Sequence, residues 1–197
     1  MDNELSLVEH LNELRKRIIV CLIALGVTTL LAFPYASRLL KILKLPARGA
    51  IDRLAFFSPE EAFLIYMRIG ILSGFAISMP VILHQIWKFC SPAMEERIRK
   101  HSAFFIASCF ASFVAGAFFA YFILLPPALK FLLRFAGADL EPVISAGKYI
   151  SFVTGIIFAS GLVFQMPVLS FILAKLGVIN PRTLRKKYKY AIVIIFI

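Results

Sequence analysis

Hydrophobic positions along this chain gather into long unbroken runs, not into the alternating or helical-face patterns of a soluble fold. Ile18 to Ala36 holds no formally charged residue. Ala62 to Trp87 is interrupted only by Arg68, near its start, where a long side chain can snorkel to the interface. Ser102 to Leu129 and Tyr149 to Ala174 carry no charge either. About 20 such residues cross the hydrocarbon core as a helix, so each run predicts a span. Residues 189–197, ending AIVIIFI, predict the start of a fifth that the chain leaves incomplete. The expected fold class is an all-α polytopic membrane protein, forming a single integral membrane domain over residues 1–197.

Local signals refine these elements. Leu7, Leu11, Leu14 and Ile18 recur at the spacing of one helical face, predicting an amphipathic helix over 7–17 that lies along the interface before the chain turns in. In FFSPEEAF, Ser58 stands at a cap, Pro59 at the first helical position and Glu61 at the capping-box position, followed by Phe63. Ser91-Pro92 and Asn180-Pro181 repeat the cap-then-proline order and predict ordered loops. Gly70 with Gly74, and Gly155 with Ala159, predict close helix contacts. Pro80 and Pro167 permit kinks within spans.

Composition agrees with a bilayer as solvent. The chain is 60% hydrophobic and 17% charged, with a mean hydropathy of +0.86, whereas soluble domains are about half apolar and about a quarter charged. The net charge of +11 sits in short clusters between apolar runs, which does not make a nucleic-acid-binding stripe. Counted by alternate loops, 13 Lys and Arg residues fall on the N-terminal side, from Arg15, Lys16 and Arg17 to the 182–189 run, and 8 fall on the other. That asymmetry predicts a cytoplasmic N-terminus. The acidic start and the length of the first apolar run predict a retained span, not a cleaved signal peptide.

Catalytic patterns are missing: there is no P-loop, no HExxH and no GxSxG. His10, His84 and His101 share no ligand spacing, and Cys21, Cys90 and Cys109 are scattered, so no metal, cofactor or disulfide framework is expected. Three acids near the N-terminal side draw more interest. Glu13 precedes Arg17 by four residues, a pair worth about 0.2 to 0.5 kcal/mol on a helix. A functional role requires a second anionic point on the same face, which Glu95 and Glu96 supply. Gln165 lies well inside the fourth run, where an amide needs an interhelical partner or a polar cavity to line.

These pieces in order, HLNELRKR at 10–17, SPEEAFLIYMR at 58–68, MPVILHQIWKFCSPAMEER at 79–97, FFAYFILLPPALKFL at 118–132, SFVTGIIFASGLVFQMPV at 151–168 and LRKKYKY at 184–190, resemble the TatC family, the C subunit of the twin-arginine protein translocase. The resemblance implies a six-span cupped helical fold in the cytoplasmic (inner) membrane, with four full spans and part of the fifth in this chain. It implies a core receptor, not an enzyme, that binds twin-arginine signal peptides of folded cargo on the cytoplasmic face. The family's N-terminal glutamate falls on Glu13 and its first-loop glutamate on Glu96, with Glu95 the alternative. Arg17, Phe89 and Pro92 complete the implied signal-binding surface. Gln165 matches an intramembrane position where members carry glutamate or glutamine. Arg15, Lys16 and Arg17 are read as orientation and headgroup charges directed away from the partner of Glu13. Implied partners are single-span A-type and B-type subunits (TatA and TatB), further copies of the chain and the lipid bilayer. A small-solute or ion transporter with a midplane site at Gln165, and a scaffold that only gathers membrane proteins, are the competing readings.

Overall fold

The computed structural model describes residues 7–47, 54–91, 102–134 and 143–175. Seven α-helices hold most of them: α1 Leu7–Ala32, α2 Ala36–Leu43, α3 Pro59–Cys90, α4 Ser102–Phe119, α5 Leu125–Arg134, α6 Ala146–Val163 and α7 Met166–Lys175. Four segments are long and apolar enough to cross a membrane, Leu11–Ala47, Pro59–Phe89, Ser102–Arg134 and Ala146–Ser170. They enclose or overlap the first four predicted runs. The predicted fifth run, residues 189–197, lies outside the described residues, as does the Asn180-Pro181 loop.

Helix α1 is one continuous element of 26 residues. The expected interfacial helix over 7–17 therefore does not turn before the span begins. No Gly or Pro interrupts residues 7–25, so nothing breaks the ladder of i to i−4 bonds at that point. The break comes at Phe33–Tyr35, a 3₁₀ turn that carries Pro34, and α2 follows it. Helix α3 runs 32 residues through Pro80 without interruption, about 48 Å at 1.5 Å per residue. Its last residues meet Ser91, whose N–H donates to the Trp87 carbonyl; the turn expected at Ser91-Pro92 lies, from Pro92 on, outside the described residues. Helix α4 passes into a π-helical turn, Ala120–Leu124, before Pro126 and Pro127 in α5. The fourth span is broken: α6 stops at Val163, Phe164 and Gln165 form a turn, and Pro167 occupies the first turn of α7.

Chain packing pairs α1 with α3, and α4 with α6, while α3 also contacts α4 and α6. Two-residue strands, β1 Leu54–Ala55 and β2 Ile144–Ser145, pair in parallel just before α3 and α6 and align their starting points. A buried cluster gathers at that same end, where Leu43, Ile65, Ile69, Leu125, Leu129, Ile150 and Val153 meet. Tyr149 and Tyr121 donate there to the Leu43 and Ile42 carbonyls at 2.8 and 2.7 Å. Both carbonyls belong to the last turn of α2, where helical donors run out. Away from this cluster, Leu22, Leu30, Phe104 and Phe122 are more than half exposed, as expected of surfaces that hydrocarbon covers.

The two small-residue pairs separate. A Cβ on Gly74 would fall 2.3 Å from the Thr29 hydroxyl oxygen and 2.7 Å from the Thr29 Cα, so α1 and α3 touch backbone to backbone there. Thr28 adds a 2.8 Å bond to the Gly74 carbonyl. Gly155 has nothing within 4 Å of an added Cβ, and Ala159 is exposed. The predicted close contact at Gly155 and Ala159 does not form within the described residues, because that face of α6 points outward. The tight contacts of the fourth span use Gly161 instead, against the Phe113 ring, with Gly116 of α4 against the Ser160 carbonyl.

Candidate functional site

The residues that could meet a cationic ligand lie where α1 begins and α3 ends. Helix α1 packs on α3 with Thr29 beside Gly74. Glu13 lies 16 positions before that contact and Phe89 lies 15 positions after it. At 1.5 Å per residue these are about 24 and 22 Å along the two helices, so the antiparallel pair brings both residues to one end. Phe89 is half-buried, and Trp87 beside it is buried against Phe105, ring centroids 4.5 Å apart. The Trp87 indole Nε1 is buried without a hydrogen-bond partner. Glu95, Glu96 and Pro92, the remaining predicted members of this surface, lie outside the described residues.

Glu13 is already engaged. Its Oε1 accepts from Arg17 Nη2, and the pair is sheltered, with 18% of the Arg17 side chain and 31% of the Glu13 side chain exposed. The pair expected from the spacing of four thus forms, because both residues lie on one uninterrupted helix and stack on the same face; Arg17 is engaged with Glu13 and is not held out as a headgroup charge. The contact is end-on. Arg17 Nε is buried and has no hydrogen-bond partner, so the two-pronged fork that a guanidinium offers a carboxylate is not formed through it.

At the opposite end of the molecule the SPEEAF motif does something other than the expected capping box. Ser58 has the extended backbone of an N-cap, yet its hydroxyl makes no capping bond; its carbonyl accepts from the Glu61 N–H at 3.2 Å. Glu61 reaches two ways. One carboxylate oxygen accepts from the Phe57 N–H at 2.8 Å, and the other accepts from the Gly147 N–H at 2.6 Å and from the Ser145 hydroxyl. Glu61 therefore ties the start of α3 to the start of α6. Sequence reasoning missed this tie because the partner is 84 to 86 residues away. The signal that could have found it was Ser145 ahead of the fourth run, placed as an N-cap. Phe63, in the same motif, is 60% exposed on the outside of α3.

Gln165 is buried in the turn between α6 and α7, and its Nε2 donates to the Cys109 carbonyl of α4 at 2.8 Å. Ser112 of α4 donates to the Phe164 carbonyl at 2.6 Å. Where Pro167 prevents continuous helix, two polar side chains thus cross-link the exposed backbone and its neighbour, the remedy that hydrocarbon demands. His84 is half-buried on α3, and among the described residues no group of three His, Cys, Asp or Glu side chains could hold a metal. Cys21 and Cys109 are free thiols.

Known proteins resolve what this arrangement belongs to. The family model described as Sec-independent protein translocase protein (TatC) matches residues 9–197. The TatC protein of Carboxydothermus hydrogenoformans is 39% identical over 196 residues, covering all of this chain and 81% of that protein. TatC of Aquifex aeolicus is 40% identical over 98% of this chain and 82% of its own length. A crystal structure described as the twin-arginine translocase receptor TatC superimposes with a TM-score of 0.84 at 39% identity, over 94% of this chain and 83% of that one. With motifs, fold and relatives in agreement over nearly its whole length, this chain belongs to the TatC family of Sec-independent protein translocase proteins.

Proposed function

We propose that this chain is the receptor of a twin-arginine translocase and that Glu13, with Glu96 or Glu95, accepts the paired guanidinium groups of a signal peptide. The observation that carries the reading is the Glu13 carboxylate itself, sheltered at the foot of α1 and holding a guanidinium, that of Arg17. A site that accommodates one arginine head has the shape and charge for another. Arg17 contributes only an end-on contact, whereas an incoming arginine that presents both prongs of its fork makes the stronger charge-assisted pair. Exchange follows: the signal arginine takes Glu13, and Arg17 swings to solvent and lipid headgroups. Exposed pairs are worth only about 0 to 1 kcal/mol, so the second acid and the apolar part of the signal, lying on Phe89 and the α1 surface, supply the rest.

In this reading the N-terminus is cytoplasmic, as the Lys and Arg asymmetry implies, and the membrane is the inner one. The chain performs no catalysis; it presents cargo to single-span A-type and B-type subunits and assembles with further copies of itself. The bond from Gln165 to Cys109 engages the amide in packing, and nothing favours a midplane transport site.

The test is binding of a fluorescent twin-arginine signal peptide to the reconstituted chain. Glu13→Ala combined with Glu96→Ala is expected to abolish it, and a twin-lysine peptide to bind weakly to the unaltered protein. Undiminished affinity in the double variant would refute the site.

A further inference from the structure

Between the first turns of α3 and α6, at the end opposite Glu13, the structure opens a groove of about 260 Å³. Two cations line it, Arg68 of α3 and Lys148 of α6, together with one acid, Glu61. The acid pairs with neither cation, its two oxygens being taken by Phe57, Ser145 and Gly147, and the groove keeps a net positive charge. Neither Arg68 nor Lys148 has an ion pair or hydrogen-bonded side-chain partner among the described residues. The backbone of α6 is not the attraction either, since the Gly147 and Lys148 N–H groups already donate to Glu61 and to the Ser145 hydroxyl.

Depth makes Arg68 informative. It lies six positions beyond Ala62, where the apolar run starts, about 9 Å further along the helix. A guanidinium at that depth is unfavourable unless it reaches an anion or the interface. The groove offers a route, and its walls include Leu64, Ile65 and Ile150. Arg68, whose long side chain can reach back toward the interface, and Lys148 at the start of α6 thus face the groove from two helices and suit one anionic headgroup. Basic pockets between spanning helices on the cytoplasmic side hold anionic headgroups, and the same charge-assisted pairing with phosphate is open to two cations at this outer end.

We propose that the groove between α3 and α6 is a binding site for an anionic phospholipid, its phosphate held by Arg68 and Lys148. The lipid would complete the contact that Glu61 begins, bridging the two helices from the bilayer side. This does not depend on signal binding at the other end.

The full chain in phosphatidylcholine nanodiscs doped with photoactivatable phosphatidylglycerol tests the assignment by peptide mapping. Label is expected on the segments that carry Arg68 and Lys148. In the variant Arg68→Gln with Lys148→Gln it should fall roughly tenfold, as for loss of charge-assisted hydrogen bonds, while label on lipid-facing α4 is unchanged. The variant Arg68→Lys with Lys148→Arg keeps both charges and is expected to retain the label. Equal labelling by photoactivatable phosphatidylcholine, or an unaltered signal in the glutamine variant, overturns the proposal. Competition by inorganic phosphate overturns it as well, because a free anion would then be the occupant.

Discussion

Arg17 rests its guanidinium on the Glu13 carboxylate one helical turn below it, both side chains sheltered at the start of α1. The acid proposed to receive a signal arginine is therefore occupied by an internal one. If binding is an exchange, Arg17 competes with the ligand. Replacing Arg17 with Gln should raise signal-peptide affinity by no more than about fivefold, the equivalent of an exposed pair of about 1 kcal/mol. Replacing Glu13 with Gln should lower affinity whether or not Arg17 is present. Titrations of the two single variants and the double variant close the cycle, and a lowered affinity in Arg17→Gln would show that Arg17 positions Glu13 instead of guarding it.

The contact of Gly74 with Thr29 is backbone to backbone, so any side chain at 74 must push α1 off α3. Gly74→Ala is expected to destabilise by about 1 to 3 kcal/mol, as overpacking does. Gly155→Ala, on the open face of α6, should stay within about 0.5 kcal/mol of the parent. Unfolding of both variants in mild detergent compares them directly, and equal losses would contradict this placement of the two faces.

Glu61 ties α3 to α6 through three donors. Glu61→Ala leaves the Phe57 and Gly147 N–H groups and the Ser145 hydroxyl without that acceptor and is expected to lower the melting temperature in mild detergent. Melting indistinguishable from the parent would count against the tie.

Gln165→Leu removes the bond to the Cys109 carbonyl while keeping bulk. Side-chain bonds between spanning helices contribute about 0.6 kcal/mol on average and about 1.7 at most, so a loss of that size is expected, with signal binding retained. Reversible unfolding measures the first and peptide titration the second. Abolished binding in a folded Gln165→Leu protein would give the amide a role beyond packing.

The spans, their order and the class of solvent were legible in the sequence, because hydrocarbon tolerates no long polar stretch and imposes that rule residue by residue on 18–36, 62–87, 102–129 and 149–174. Family membership was legible too, through motifs short in themselves and informative in their order. Geometry between distant segments was not. Two small-residue pairs looked alike on paper, and only packing decided that Gly74 meets Thr29 while Gly155 faces outward. Glu61 read as a local cap because capping rules span three or four residues; its partners Ser145 and Gly147 arrive from another helix. The Glu13–Arg17 pair, by contrast, was legible from its spacing of four, because a helix brings such neighbours together without help from any other segment. Sequence fixes which surfaces must avoid water; the meeting of helices decides which polar groups satisfy one another and which stay available to a ligand.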